Sequence, residues 1–309
     1  MVAIEAMKDN DDCMDLQQLR YVVAVAETRN FTRAAEHCRV VQSSLSHRIA
    51  GLERELGIRL FARSSRRTEL TSAGEAFLVG ARECLAAAER AVADAAAAAG
   101  VVRGRLAVGM IRTAAAIDVP ELLQRYHARH PDVRVSLRAG SSDELAAAIR
   151  NAELDIAFLG LPEGQRPEGV EAIVLDHDEH VLVVPAGHRL ASASQVTLHE
   201  VAEETFVDFR DGSPGRAQSD QAFAAAGLAR DVAYEAGVAE LITRLIARGL
   251  GIALLPSAFI RPLAADDPEL ALVPVVDGPH RIEYLAWSRF NPSPATRALL
   301  DVLGAGSQA

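Results

Sequence analysis

MDLQQLRYVVAVAETRNFTRAAEHCRVVQSSLSHRIAGLERELGIRLFAR, residues 14–63, decides how the rest of this 309-residue chain is read. Leu16, Leu19, Val22, Val23 and Ala26 recur at the three- and four-residue spacing of an amphipathic helix. Asn30 and Phe31 interrupt that pattern. Thr32 is then a candidate cap for a short helix through Cys38, in which Ala34 and Ala35 are small enough for close helix approach. A turn over residues 39–41 leads into a third helix, from Gln42 to about Leu56. Its stripe of Leu45, Ile49, Leu52 and Leu56 leaves Gln42, Ser43, Ser46, His47, Ala50 and Arg54 on the opposite face. Two short helices joined by a tight turn, the second with a face of short polar side chains, form a helix-turn-helix pattern. Such a face can enter a major groove and approach base edges unobstructed, although a solvated helix of any small domain would carry the same face.

Working outward, residues 60–63 read as a strand, 64–67 as a polar turn and 68–71 as a return strand. This hairpin wing carries Arg63, Arg66 and Arg67 where they can meet phosphates. Residues 72–98 read as one alanine-rich helix with a stripe of Phe77, Ala81, Leu85, Ala88, Val92, Ala95 and Ala99. Alone it would leave apolar surface wet, so a partner helix and a dimer are expected, with packing on its own domain as the alternative. Gly100 and Gly104 break the helix, and strand and helix alternate from there on. Strands are expected at 106–111, 133–137, 154–159, 181–184, 251–255 and 282–287. Helices are expected at 119–130, 143–151, 216–226, 239–248 and 294–303, an α/β pattern with ligand sites at strand ends.

The length suits two or three domains, and half the residues are hydrophobic. No run of about 18 uncharged apolar residues occurs, so no membrane span is expected. The first twelve residues are acidic without an apolar core, so no signal peptide is read and a cytoplasmic protein is expected. Residues 1–13 carry no pattern, and Met7 and Met14 offer alternative starts; a disordered extension is expected there. The net charge of −10 argues against nucleic acid only if it is evenly spread. Residues 14–75 hold ten arginines against seven acids, a surplus of three, so basic charge gathers where a DNA-binding module needs it. Cys13, Cys38 and Cys84 lack metal-like spacing and read as inert thiols; no metal or cofactor is expected. No P-loop, G-x-S-x-G, CxxC or HExxH pattern occurs, so no enzyme is expected. His177, Asp178 and His180 look metal-like but lack further nearby ligands, and read as a polar connection between two strands.

Phe31, Thr32, Ala34, Ala35, Val40, Gln42, Leu45, Ser46, Leu52, Glu53, Leu56, Gly57, Leu60, Phe61 and Arg63 stand at the spacing F-[ST]-x-A-A, V-x-Q, L-S and L-E-x-x-L-G-x-x-L-F-x-R. In this the chain resembles the DNA-binding domain of LysR-type transcription regulators. LTSAGEAF at 70–77 resembles the start of that family's linker helix. RGRLAVGM, HPDVRVSLRAGSSDELAAAIRNAELDIAF and RGLGIALLP resemble segments of its effector-binding domain. Two departures stand out: Val41 where Ser or Thr commonly caps the recognition helix, with Ser43 in place of the following proline, and Cys38 where leucine is commoner.

The resemblance implies an α/β multidomain protein: a winged helix-turn-helix at 14–71, a linker helix at 72–100 and an effector-binding domain at 103–305. That last domain would comprise two subdomains resembling type 2 periplasmic binding proteins, one of residues 103–176 and 275–305, the other of 177–274, with crossings at 176–179 and 272–275. The implied partners are double-stranded promoter DNA, a small-molecule effector, further copies in a homodimer or homotetramer, and RNA polymerase. Thr32, Gln42, Ser43, Ser44, Ser46, His47 and Arg48, with Arg63, Arg66 and Arg67, are the expected DNA-contacting residues. The family's effector positions correspond here to Thr113, Ser141 with Ser142, and the segment 210–216 containing Ser213 and Gly215. Hydroxyls beside helix N-termini suit an anion, and Arg112, Arg210 and Arg216 are candidate cationic partners, so a small acid is the expected effector. A solute-binding protein, a ligand-free architectural DNA protein and a thiol sensor are the rival readings. The helix-turn-helix, the α/β region and the lack of cysteine beyond Cys84 argue against them in turn.

Overall fold

The structure, a computed structural model, describes residues 14–63, 68–290 and 292–304. The chain divides into two compact units, one of residues up to 101 with the short segment 151–153, the other of residues 102–150 and 154 onward. The expected extension at 1–13 and the wing tip with Arg66 and Arg67 lie outside the described residues.

In the first unit, α1 (Leu16–Thr28) opens on a capping box: Gln18 N–H donates to Asp15 at 2.6 Å, and Asp15 N–H donates to the Gln18 side chain at 2.9 Å. Arg29, in the left-handed region at φ 50°, ends it. Helix α2 (Phe31–His37) is capped by Asn30, whose side chain accepts from the N–H groups of Thr32 and Arg33. This corrects the expectation that Thr32 is the cap. Asn30 has the extended backbone a cap requires, while Thr32 already lies in the first turn. Helix α3 (Gln42–Leu56) starts at Val41 without a side-chain cap and ends at Gly57, whose φ of 66° suits glycine.

Leu45, Ile49 and Leu52 bury fully against Val22, Val25, Ala34, Ala35 and Leu60. The expected stripe stops one turn early, because Leu56 is exposed. Glu53 is buried instead, and its carboxylate accepts the N–H groups of Leu60 (2.8 Å) and Phe61 (3.1 Å) and pairs with Arg59 (3.2 Å). A buried carboxylate with three donors is stabilised where a bare one would not be. Strand β1 (Phe61–Arg63) pairs antiparallel with β2 (Thr68–Leu70), Phe61 opposite Leu70. Helix α4 (Ser72–Ala98) is capped by Thr71 and packs its first turns on α1, with Leu78 and Ala81 buried and Phe77 set against the core of Val22 and Val25. Gly74 is needed there, since a Cβ would stand 2.1 Å from the Leu60 carbonyl oxygen. Farther along, Val92 is 63 % exposed and the stripe has lost its cover.

The second unit is built on a seven-stranded sheet. Strand β3 (Gly104–Met110) pairs in parallel with β4 (Val133–Ala139) and β5 (Ile156–Pro162). Helices α5 (Val119–Arg129) and α6 (Ser142–Arg150) connect them. Strand β6 (Glu171–Pro185) is the long one. A short helix α7 (Leu198–Val201), strand β7 (Thr205–Phe209), helix α8 (Pro214–Ala225), strand β8 (Asp231–Ala236) and helix α9 (Ala239–Ala247) follow. The chain closes with β9 (Ala253–Pro256), α10 (Ser257–Ala265), β10 (Leu270–Pro274), β11 (His280–Trp287) and α11 (Pro294–Leu303).

Leu106, Val108, Tyr126, Ile156, Phe158, Leu285 and Leu299 form one core with α5 and α11, and Leu145, Ile149, Ala157, Leu159 and Tyr284 a second with α6. Two further cores flank β6, β9 and β10: Val181, Val183, Ile242, Ile246 and Leu255 in one, Leu182, Val184, Phe206, Phe223 and Val273 in the other.

The halves of this sheet meet on β6. Its residues up to Glu179 pair with β11, and from His180 onward it pairs with β9 and β10. The expected polar connection at 177–180 is therefore continuous strand, with Asp178 and His180 buried. Residues 176–179 still pair with β11, so the change of partner falls just after them. On the return, Val275 is still bridged to Val196 and buried, so the chain leaves the second half over residues 276–279 rather than 272–275.

Candidate functional sites

On α3, Gln42, Ser43, Ser44 and His47 are exposed and Ser46 is half-buried, while Leu45, Ile49 and Leu52 anchor the opposite face. Arg48 is exposed but bridges to Asp15 at 2.8 Å, which ties α3 to the start of α1. Thr32 is exposed in the first turn of α2. Because Val41 has no side-chain acceptor, the first N–H groups of α3 are left to an outside one, as at anion-binding helix ends. Arg63 ends β1, and the rest of the wing's basic set lies outside the described residues. No cluster of metal-ligating side chains occurs among the described residues. Cys38 is half-buried, and burial raises its thiol above the usual range; Cys84 is exposed.

The second unit holds a cleft of about 550 Å3 between its halves. One wall is the loop after β3 (Ile111, Arg112, Thr113) and the start of α6 (Gly140 to Glu144). The other is Phe209, Asp211, Gly212, Ser213, Gly215 and Gln218 around the start of α8, and the floor includes His180, Leu254, Pro256 and Arg281. Of the expected effector residues, Arg112, Thr113, Ser141, Ser142, Ser213 and Gly215 line this cleft; Arg210 and Arg216 do not. Arg216 turns to β8, where it pairs with Glu235 (2.6 Å), and to Asp220 (3.3 Å) one turn along α8.

The hydroxyls differ in what they have left to offer. Ser142 Oγ donates to the Gly160 carbonyl (2.8 Å) and accepts the Gly160 N–H (3.0 Å), so it bolts α6 to β5. Ser141 caps α6 reciprocally: its N–H donates to Glu144 (2.9 Å) and its Oγ accepts the Glu144 N–H (3.3 Å). The hydrogen bonds from Ser141, backbone first, hold the Glu144 carboxyl below the usual carboxylate range. Thr113 Oγ1 accepts from Arg281 at 2.8 Å and keeps its own proton to donate. Ser213 caps α8, so two helix N-termini open on the same cleft.

Beneath them lies a cluster that sequence reasoning missed. Arg281, 2 % exposed, donates to Asp178 (3.2 Å), Glu283, Thr113 Oγ1 and the Thr113 carbonyl (2.9 Å). Glu283 in turn accepts from the N–H groups of Ala115 and Ala116, both at 3.1 Å, and Asp178 accepts from Ala258 N–H at the start of α10 (3.1 Å). One guanidinium thus joins both strands that link the halves, the loop after β3, and a helix of the second half. Period-two spacing was the available signal: Asp178 with His180, and Arg281 with Glu283, each share a strand face. His180 is also buried, its Nδ1 3.2 Å from the Pro279 carbonyl oxygen. A second buried pair, Arg230 with Asp208 (2.6 Å), sets the guanidinium against Phe206 and Phe223 and braces α8. Burial raises the Asp208 carboxyl despite Arg230.

Comparison with known proteins places these two sites in one family. The family model described as the LysR substrate binding domain matches residues 99–308, and that of the bacterial regulatory helix-turn-helix protein, lysR family, matches residues 16–75. The uncharacterized HTH-type transcriptional regulator YnfL of Escherichia coli (strain K12) is 33% identical over 293 residues, 92% of this chain and 96% of the relative. The Hca operon transcriptional activator HcaR of the same organism is 30% identical over 301 residues, 94% of this chain and 97% of the relative. Among solved structures, a full-length OxyR variant of Pseudomonas aeruginosa is similar with a TM-score of 0.74 at 26% identity, over 96% of each chain. Full-length CbnR in complex with its target DNA shares the fold, with a TM-score of 0.63 at 24% identity, over 95% of this chain and 100% of that one.

Proposed function

Since the chain belongs to the LysR family of DNA-binding transcription regulators, which are not enzymes, we propose that α3 reads promoter DNA and that a small acid in the cleft controls the reading. Gln42, Ser43, Ser44, Ser46 and His47 meet base edges in the major groove, and Thr32, Arg48, Arg63, Arg66 and Arg67 meet phosphates. The exposed stripe of α4 around Val92 pairs with a second copy, and dimers assemble further into tetramers whose spaced helices read paired half-sites. The protein works in the cytoplasm on double-stranded promoter DNA, with RNA polymerase as a further partner. No described helix is long and apolar enough to cross a membrane.

The observation that carries the effector reading is the convergence of two helix N-termini, with Arg112, on one cleft. N–H groups there, with the hydroxyls of Ser141 and Thr113, offer donors to a carboxylate. Arg210 and Arg216 drop out of the contact set because neither lines the cleft. Asp143, Glu144 and Asp211 on the rim disfavour polyanions, so a monoacid suits the site better than a phosphate ester.

A ligand touching Thr113 touches a residue bonded to Arg281, and through it both linking strands. Effector binding changes the relative arrangement of the halves and hence the spacing of DNA-reading helices in the assembly. Thermal-shift screening of small acids against neutral analogues tests this reading. Acids should stabilise the protein, and stabilisation by neutral ligands alone would refute it.

A further inference from the structure

His180 lies on the floor of the cleft with 3 % of its surface exposed. Its backbone N–H donates to the Pro279 carbonyl at 2.9 Å, and its Nδ1 stands 3.2 Å from the same oxygen. A carbonyl oxygen only accepts, so Nδ1 carries a proton. Burial first, then the Arg281 guanidinium and His280, outweigh the Pro279 hydrogen bond and hold the pKa down to about 3. The ring is therefore neutral at physiological pH. A neutral imidazole protonated on Nδ1 presents a lone pair on Nε2, and no described protein group donates to it. The donors closest at hand are committed: Arg281 is engaged by Asp178, Glu283 and Thr113.

The cleft therefore has two kinds of demand. Its walls offer donors, at the starts of α6 and α8 and on Arg112, Ser141 and Thr113. Its floor offers, on a residue 3 % exposed, a neutral acceptor that a donor entering the cleft can satisfy. An ammonium group would carry a charge to a position where burial first, and then the Arg281 guanidinium, already disfavour a cation on the His180 ring. A hydroxyl supplies the proton without the charge. We propose that His180 Nε2 accepts a hydrogen bond from an effector hydroxyl, so that the ligands of this cleft are hydroxy-carboxylic acids and His180 sets that specificity. The assignment rests on the reading of the cleft as an acid site.

Calorimetry on the full chain with matched monoacids, among them propionate and lactate, butyrate and the hydroxybutyrates, benzoate and the hydroxybenzoates, tests both levels. In the pair that fits best, the hydroxylated member should bind about tenfold more tightly, as expected for one satisfied buried hydrogen bond. His180→Phe should erase that preference, so that the two members of a pair bind alike, whereas His180→Gln, with an acceptor at the distal position, should keep part of it. Nitrogen-15 spectra of labelled histidine should show an unprotonated Nε2 from about pH 5 to about pH 8, shifting on addition of the hydroxy acid and not of its parent. Parents that bind without any hydroxyl preference, a preference that survives His180→Phe, or a protonated Nε2 would each overturn the role of His180 while leaving the acid site standing. Failure of every acid, hydroxylated or plain, to bind the wild type would overturn the acid site and the assignment together.

Discussion

Replacing Arg281 by methionine keeps most of the side chain's length and removes the one charge that two buried carboxylates share. Asp178 and Glu283 are 9 % and 2 % exposed, and both contact the guanidinium directly. Breaking such a pair from one side costs about 3–5 kcal/mol, because an uncompensated charge is left in a dry site. The Ala115, Ala116 and Ala258 N–H groups remain and place the loss toward the lower end of that range. With about 2–4 °C per kcal/mol for a unit of this size, the midpoint should fall by roughly 6–20 °C. The assay is selective, since Trp287 is the chain's single tryptophan and lies buried on β11, the strand that carries Arg281 and Glu283. Its fluorescence during urea unfolding reports the second unit alone. Arg281→Met with Glu283→Gln should recover about 1 kcal/mol or more, because one stranded charge is gone. A loss below about 1 kcal/mol, or a double variant no better than the single, would refute the reasoning.

On the DNA side, His47→Ala or Ser43→Ala should cost about 1–3 kcal/mol of discrimination between the selected site and its single-base variants, measured by fluorescence anisotropy. Arg66→Ala should weaken all sequences alike and flatten the dependence of affinity on salt by about one unit of slope. Glu53→Ala strands the N–H groups of Leu60 and Phe61 and should destabilise the first unit by about 2 kcal/mol or more, read by circular dichroism. Ser141→Ala should raise the Glu144 carboxyl part of the way toward its ordinary value in an NMR titration, since the Ser141 N–H remains bonded to it. A carboxyl depressed in the folded state contributes stability above its unfolded pKa and loses it as pH falls through the folded value, so the variant's deficit should fade in acid. Val92→Glu should shift the assembly toward monomer in sedimentation.

Helices α3, α4 and α11 were legible along their whole length, because unbroken periodicity runs between identifiable stops such as Gly57 and Gly304. The face of α3 was legible too, apart from its last turn, where Glu53 rather than Leu56 points inward. A carboxylate whose partners are backbone N–H groups seven and eight residues away leaves no trace in an apolar pattern. The cleft walls could be named from the family's positions, and six of the eight expected residues line it. Its floor could not. Asp178, His180, Arg281 and Glu283 are charged or polar residues at inward strand positions, so a search for alternating apolar residues reads the start of β6 as a connection. Strands β7, β8 and β10 are five or six residues long, and α10 carries an internal proline, so each falls short of a clear periodic signal. Arg216 read as a candidate cationic partner from its place at the end of the 210–216 segment. Its partners on β8 and α8 depend on tertiary packing that spacing does not encode.

The central claim, that α3 reads DNA under control of the cleft, meets its most direct test in nuclease footprinting of the full chain on DNA flanking its own gene, with and without the acid that binds best. The account predicts a protected dyad with an adjacent protected region whose extent changes when the acid is added. It also predicts that Arg112→Ala abolishes the change while leaving the dyad protected. Protection that is identical with and without bound acid would contradict the coupling, and absence of a protected site both there and in genomic selection would contradict the reading of DNA itself.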